Sequence, residues 1–291
     1  MIRTILVPLL GLKSDELALQ SALQLAETFD AHIDCIHVRP DANANALPMT
    51  GYVMGLSVLT PDLYEYFEDN ARKSAEKARR TFEEFRARTD TAVVDQPLLS
   101  RRVSVSFSEV EGDLVPMIVE HAKMHELVVL LRDPNFFGFN EYTVGDILVG
   151  CGRPVLLPAD EPQTTCGRHV AIAWKATAEA ARAITAAMPI LEKAERISIL
   201  SAEEESTNIE KAAASVRNLV RELGWHGFVP EIRHLHRSPD SADTTLREAQ
   251  ICGADLLVMG AYGHSRAREL FFGGFTRCVL RSAPLTVFLV H

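Results

Sequence analysis

The 291-residue chain has no long hydrophobic run. Its longest apolar stretches, such as Leu127 to Leu131 and Leu285 to Val290, are far shorter than the roughly 20 residues that cross a bilayer as a helix. The first residues are typical of a strand rather than of a signal peptide, because Lys13 to Glu16 interrupts any apolar core. We therefore predict a cytoplasmic protein that has no membrane partner.

Basic residues are fewer than acidic ones, and the cysteines lack the close spacing of metal-binding or disulfide-forming pairs. The chain has 30 Lys and Arg against 39 Asp and Glu, which gives a formal net charge of −9 at pH 7. This balance disfavours a broad electrostatic grip on nucleic acid phosphates, and we expect no nucleic-acid partner. The five cysteines show no Cys-x-x-Cys spacing, which argues against a zinc site and against a disulfide framework.

The common catalytic motifs are absent as well. The sequence contains no GxxxxGK[ST], HExxH or GxSxG pattern. Histidines that lie near acids, such as His264 near Glu269, come without a nucleophile that their spacing would pair with them. We therefore expect a binding or interaction protein, and a hydrolase or adenylyl-transfer enzyme is the less favoured alternative.

What the chain does contain is an internal repeat. A short apolar strand, a polar turn and an apolar-periodic helix occur near the start of the chain and return about 165 residues later. The matching segments are Thr4 to Pro8 with His169 to Trp174, Ser14 to Phe29 with Ala180 to Ala194, Ile33 to Val38 with Ile197 to Leu200, Glu126 to Leu130 with Asp255 to Met259, and Arg153 to Leu157 with Ala283 to Val287.

The repeat predicts two domains of the α/β class. Between the matching segments each half has one further strand and two further helices. These are Pro61 to Ala87, Val103 to Phe107 and Leu114 to Met124 in the first half, and Ser206 to Leu223, Pro230 to Leu235 and Asp243 to Cys252 in the second. Apolar strands that alternate with helices belong in a parallel sheet covered on both faces. We predict domains at residues 1–158 and 168–291, joined by the linker Ala159 to Gly167.

The sharpest local signal is rich in glycine. Gly260 and Gly263 follow a buried strand, and Gly273 and Gly274 open a short helix. Glycine lets the backbone approach a ligand closely, and a helix N-terminus offers free N–H groups and a positive dipole end, which suit a phosphate. Close packing of a strand against a helix also selects glycine, so a purely structural role is the alternative interpretation.

These glycines carry a resemblance to a known family. The pattern Gly260-x2-Gly263-x9-Gly273 resembles the G-x2-G-x9-G-[S/T] signature of universal stress proteins, and its surroundings resemble the variant of the tandem-domain members. The resemblance covers nearly the whole chain as two repeats. It implies a doubly wound, Rossmann-like domain with a five-stranded parallel sheet in each repeat. It also implies a role in the stress response and a nucleotide, commonly ATP, at the carboxyl ends of the first and fourth strands.

The resemblance places the ligand site in the second repeat. We predict that ATP or another adenine nucleotide binds there, with or without Mg²⁺. The backbone around the phosphates is that of Gly260, Gly263, Gly273 and Gly274, the nearby donors are Thr276, His264 and Arg266, and the residues that border the base are Ala173, Trp174 and Ala202.

The chain departs from the family pattern in ways that divide the two repeats. Leu10 and Lys175 stand where ATP-binding members carry an acid, and Gly274 stands where the signature has a hydroxyl. In the first repeat Asp133 and Pro134 fall within the stretch that replaces the glycine loop, so we predict that this repeat binds no nucleotide.

Two functions fit these residues. The first is a regulatory protein that holds a nucleotide in its second repeat with little or no turnover and exposes its state to a protein partner. The second is an interaction protein of the same fold that has lost nucleotide binding. Two fused copies are expected to pair within one chain as two subunits would, and a homodimer of the whole chain is left open.

Overall fold

The computed structural model describes residues 1–40, 61–97, 102–131, 141–202, 209–235, 241–261 and 274–291. The chain divides into two compact units, which we call the first unit (Ile2–Leu131) and the second unit (Arg132–His291). Each unit alternates strands with helices, so the predicted α/β architecture in two repeats is confirmed. No helix within the described ranges is long and apolar enough to span a membrane.

The first unit contains five described strands and three described helices. The strands are β1 (Thr4–Pro8), β2 (His32–Arg39), β3 (Ala92–Val93), β4 (Ser104–Glu111) and β5 (Leu127–Val129), and the helices are α1 (Asp15–Phe29), α2 (Pro61–Thr89) and α3 (Leu114–Ala122). The strands lie in the order β3-β4-β2-β1-β5, and every pair is parallel. The central strands are apolar and buried; Ile5 of β1, for example, lies beside Ile33 of β2 with no exposed surface.

Helix α2 shows how the sequence sets one buried and one solvated face. Its buried side chains include Ala78, Phe82 and Phe85, which recur at three- and four-residue spacing. The opposite face carries charges of both signs that pair with each other, as Asp69 does with Arg72. The dense charge of this segment is therefore the solvated face of a helix that packs on the first sheet.

The second unit contains the remaining elements. They are α4 (Glu141–Cys151), β6 (Val155–Leu157), β7 (His169–Ala173), α5 (Ala178–Leu191), β8 (Arg196–Ala202), α6 (Ile209–Trp225), β9 (Glu231–Leu235), α7 (Ser241–Ile251), β10 (Leu256–Gly260), α8 (Gly274–Ser282) and β11 (Thr286–Val290). The strand order is β6-β11-β10-β7-β8-β9. The last five strands in this order pair in parallel, as expected for one repeat.

Strand β6 differs from the expected arrangement. The internal repeat assigns it to the first domain, yet it pairs with β11 and runs antiparallel to it, with Val155 opposite Leu289. The sheet of the second unit is therefore mixed. An apolar run predicts a buried strand but encodes neither the strand's partner nor its direction, so the sequence did not show that β6 joins the five parallel strands of the second unit as an antiparallel sixth.

The predicted linker Ala159 to Gly167 lies within the second unit and is bonded to other parts of that unit at its middle and at its end. The side-chain oxygen of Gln163 accepts a hydrogen bond of 3.1 Å from the Thr286 amide. The carboxylate of Asp255 accepts the amide N–H groups of Gly167 and His169 at 3.0 and 3.1 Å. These bonds fix the chain at the point where it enters β7.

Candidate functional site

The carboxyl ends of β7, β8 and β10 meet at one edge of the second sheet. Ala173 lies opposite Met259 of β10 on one side and opposite Leu200 of β8 on the other. Because the chain leaves β7 toward β8 while β10 lies on its other side, this is the crossover position at which open α/β sheets bind ligands. Of the predicted site residues, the structure brings Ala173, Trp174 and Gly260 together here.

Trp174 continues the sheet by one residue and is held by two hydrogen bonds. Its amide donates to the carbonyl of Leu200 at 2.9 Å, and its indole Nε1 donates to Ser215 Oγ of α6 at 2.8 Å. Strand β8 ends with Ala202, two residues beyond Leu200. The indole therefore has a fixed orientation at the edge of the sheet where the base is predicted to lie.

Gly260 is a glycine because a helix approaches it closely. A Cβ atom built at this position would lie 2.5 Å from the carbonyl carbon of Glu179 and closer still to the amide nitrogen of Ala180. No side chain fits without displacing the first turn of α5. Close packing against α5 is therefore enough to explain why this residue is a glycine. The same close approach brings the N-terminus of α5 to the end of β10.

That helix N-terminus already holds a carboxylate, which the sequence reasoning missed. Glu179 lies in the first turn of α5, and its side chain is 15% exposed and pairs with Arg182 at 2.9 Å. A hydrogen bond from its own backbone N–H, with further bonds from Thr177 and Arg182, lowers the pKa of Glu179 despite partial burial. The sequence signal was Thr177, an N-cap residue whose Oγ1 accepts the Ala180 amide at 3.3 Å, followed by an acid in the first turn.

The glycine-rich segment is described only at its two ends. It leaves β10 after Gly260 and Ala261, and it ends where Gly274 begins α8. Gly274 is exposed, and a Cβ atom built on it would have no atom of the described residues within 4 Å. Thr276 lies in the first turn of α8 and is buried. The other predicted residues, Gly263, His264, Arg266 and Gly273, lie outside the described residues.

In the first unit the turn after β1, which corresponds to the turn after β7, is closed by its own side chain. Asp15 has no exposed surface, and its carboxylate accepts the backbone N–H groups of Leu10, Gly11 and Leu12 at 3.0, 2.7 and 3.1 Å. Backbone N–H groups in such a turn would otherwise be available to an anionic ligand. The turn after β1 therefore binds an internal anion.

Helix α2 contacts the same turn from a second direction. Ser74 Oγ donates to the carbonyl of Leu10 at 2.8 Å. Gly11 has φ +73°, and a Cβ atom built on it would lie 2.5 Å from the carbonyl oxygen of Ser74. These contacts fill the turn after β1 and supply a structural reason why the first repeat is expected to bind no nucleotide. This reason differs from the one that the sequence suggested. Asp133 and Pro134, on which that prediction depended, lie outside the described residues.

A second polar cluster lies at the amino ends of the first unit's strands, and the sequence reasoning missed it too. Ser106 Oγ donates to Asp34 Oδ1 at 2.8 Å and lies 2.9 Å from His32 Nε2, while His125 Nε2 lies 3.2 Å from Asp34 Oδ2. His125 Nδ1 lies 2.8 Å from the carbonyl of His121, so both ring nitrogens of His125 face oxygen acceptors.

The electrostatics of this cluster favour a structural role. Burial would raise the pKa of Asp34, but hydrogen bonds from His125 and Ser106 outweigh it and hold that pKa below its ordinary value. Burial lowers the pKa of His32, so its neutral form is favoured. Among the described residues no group of His, Cys, Asp and Glu has a geometry suited to a metal ion. The cluster ties β2, β4 and the segment before β5 together, at the end of the sheet opposite the carboxyl ends of the strands.

Comparisons with known proteins agree with this fold. A model of the universal stress protein family matches residues 1–131 and again residues 153–291. A universal stress protein from Archaeoglobus fulgidus DSM 4304 superposes with a TM-score of 0.67 at 15% identity, covering 99% of this chain and 97% of its own. A protein assigned to the same family from Pseudomonas aeruginosa UCBPP-PA14 gives a TM-score of 0.62 at 18% identity, covering 99% and 93%.

A further neighbour is a protein of unknown function from Pseudomonas aeruginosa PAO1, with a TM-score of 0.62, 17% identity and coverage of 99% and 92%. At these identities the structural likeness establishes the fold alone. No curated protein matches the chain. The family model, however, matches both repeats and most of the sequence. The chain therefore belongs to the universal stress protein family.

Proposed function

We propose that the second unit binds an adenine nucleotide, ATP or a close relative, with little or no turnover, and that the protein acts as a cytoplasmic stress-response regulator. The observation that carries this proposal is the edge at which β7 and β10 end side by side, with Gly260 leading into the glycine-rich segment and an exposed Gly274 beginning α8. A strand end followed by an open helix N-terminus suits a phosphate.

Each described residue has a definite part in this proposal. The first amides of α8 face the phosphates together with the glycine-rich segment. Trp174, held by Ser215, borders the base beside Ala173 and Ala202. Any Mg²⁺ would be held chiefly by the phosphates, since the described residues offer no cluster suited to a metal ion.

A specific observation favours a second candidate function, an interaction protein without a nucleotide. Asp15 accepts three N–H groups in the turn after β1, and Glu179 places a partly buried negative charge near the end of β10. A carboxylate close to a polyphosphate opposes binding. Under this alternative both turns are closed by internal carboxylates, and the fold provides only a docking surface.

The decisive experiment replaces Gly274 with aspartate and compares it with Gly274→Asn in the full chain. Both side chains have room among the described residues, none of which has an atom within 4 Å of the added Cβ. An acid in the first turn of a helix is favourable for the helix dipole, so Gly274→Asp should leave the stability unchanged or slightly raised. Only the charged variant should repel phosphate.

Titration calorimetry with ATP and with adenosine separates the outcomes. We expect wild type and Gly274→Asn to bind ATP, and Gly274→Asp to bind it at least about tenfold more weakly, because a like charge at short range opposes the phosphates. Adenosine, which has no phosphate, should bind all three proteins equally. If the wild type did not bind ATP, the interaction protein would be the better-supported function. If all three proteins bound ATP with equal affinity, the phosphates would not lie at the start of α8.

A further inference from the structure

The second sheet ends at a strand that is open on one side. β9 pairs in parallel with β8, and no described strand lies on its other side. The N–H and C=O groups along that outer side can pair with another chain, which makes an open edge a natural docking surface. We call this surface the β9 edge.

The first unit covers the corresponding edge with its own chain. There β4 occupies the position that β9 has in the second unit, and β3 pairs with its start, Ala92 opposite Ser104 and Val93 opposite Val105. The sequence explains the difference. Residues 90–103 separate α2 from β4 and leave room for β3, whereas only residues 226–230 separate α6 from β9. The second unit has no room at this point for a covering strand.

Apolar side chains are exposed along the same part of the chain. Trp225 is 82% exposed at the end of α6, Val229 is 95% exposed just before β9, and Ile232 is 40% exposed within β9. Single exposed apolar residues are ordinary, but three within eight residues that lead into and lie within an open edge strand are typical of an interaction surface. Burial of these side chains would stabilise an edge-to-edge contact.

We propose that a second copy of this chain docks on the β9 edge, with the two β9 strands antiparallel and Ile232 opposite Ile232 of the second copy. In this register Glu231 lies opposite Arg233 of the second copy, and the twofold symmetry repeats that pair of opposite charges. Val229 then lies opposite Leu235. A register centred on Arg233 would set two arginines opposite each other, so the charges select the Ile232-centred register.

Sedimentation equilibrium of the full chain over a range of concentrations tests the proposal. The wild type should form a dimer, and Ile232→Lys should raise the dissociation constant of that dimer at least about tenfold, because a charge on an open edge opposes pairing. Met124→Lys is the matched control: Met124 is 78% exposed and lies in the first unit, so its replacement should leave the constant unchanged. A monomeric wild type, or a dimer that Ile232→Lys leaves unchanged, would overturn the proposal.

Mixing two charge variants tests the register itself. Glu231→Arg alone places two pairs of like positive charges across the edge, and Arg233→Glu alone places two pairs of like negative charges. A mixture restores two pairs of opposite charges, so the mixed dimer should be at least about tenfold tighter than either variant by itself. Circular dichroism checks that each variant is folded, since Arg233 also pairs within its own chain with Glu248 at 2.8 Å and with Glu231 at 2.9 Å. If folded variants associate no more tightly when mixed, the proposed register is wrong.

Discussion

Replacement of Asp15 by alanine should destabilise the first unit by about 3–5 kcal/mol. Its carboxylate accepts three backbone N–H groups at 2.7 to 3.1 Å and is completely buried. A hydrogen bond to a charged group contributes about 1.5–3 kcal/mol, but the three bonds share one carboxylate whose desolvation offsets part of the sum. The expected loss is therefore below that sum and above the roughly 1 kcal/mol of an ordinary helix N-cap.

Urea unfolding of the full chain measures this loss. Far-ultraviolet circular dichroism follows the helices of both units, and fluorescence follows the second unit alone, because both tryptophans, Trp174 and Trp225, lie there. Asp113→Ala is the matched control: Asp113 is the N-cap of α3 and makes no side-chain capping bond, so its loss should change the stability by less than about 0.5 kcal/mol. If Asp15→Ala were no more destabilising than Asp113→Ala, the carboxylate would not hold the turn together.

Two further substitutions test the packing and the electrostatics. Gly260→Ala should lower the free energy of unfolding by about 1–3 kcal/mol, because its Cβ would overlap the first turn of α5, whereas Gly224→Ala in α6 meets no atom within 4 Å and should raise it by about 0.4–1 kcal/mol. Thermal unfolding distinguishes a loss of stability from a gain. Equal effects of the two substitutions would contradict the close approach of α5 to Gly260. Asp34→Asn should lower the stability at neutral pH by about 1–3 kcal/mol. Because the folded-state pKa of Asp34 lies below 3.8, its stabilisation is complete above that pH and is lost as the pH falls through the folded value, so the two proteins should converge in acid. A difference that persists unchanged in acid would show that this charge is not the cause.

The strands were predictable because their apolar runs are continuous. β1 has the predicted bounds, Thr4–Pro8, and β7 ends one residue before the predicted Trp174. Parallel strands that are buried on both faces carry this pattern without help from tertiary contacts. The partner and direction of β6 were not predictable, since they depend on which strand edge the run meets.

The polar clusters could not be predicted from the sequence, for a different reason. His32 and Ser106 are 74 residues apart and meet only because His32 lies opposite Ser104 in the register of β2 and β4. The buried carboxylates are hidden in the same way. Ser14, Asp15 and Glu16 predict the start of a helix, but no local pattern shows that Asp15 turns back onto the amides of residues 10–12.

The two turns at the carboxyl ends of the central strands show what a glycine signals there. Gly11 faces the backbone of Ser74, and Gly260 faces the first turn of α5. At both positions close packing against another part of the same chain explains why the residue is a glycine. Neither explanation requires a ligand. The two glycines stand at different positions of the repeat, Gly11 after β1 and Gly260 at the end of β10, and their surroundings differ. In the first unit a completely buried carboxylate and α2 close the turn, whereas in the second unit the chain leads from Gly260 to α8, which begins at the exposed Gly274. Nucleotide binding is therefore expected at one end of this chain, and the test of that expectation lies at Gly274 rather than at Gly260, whose replacement would disturb the packing whether or not a ligand binds.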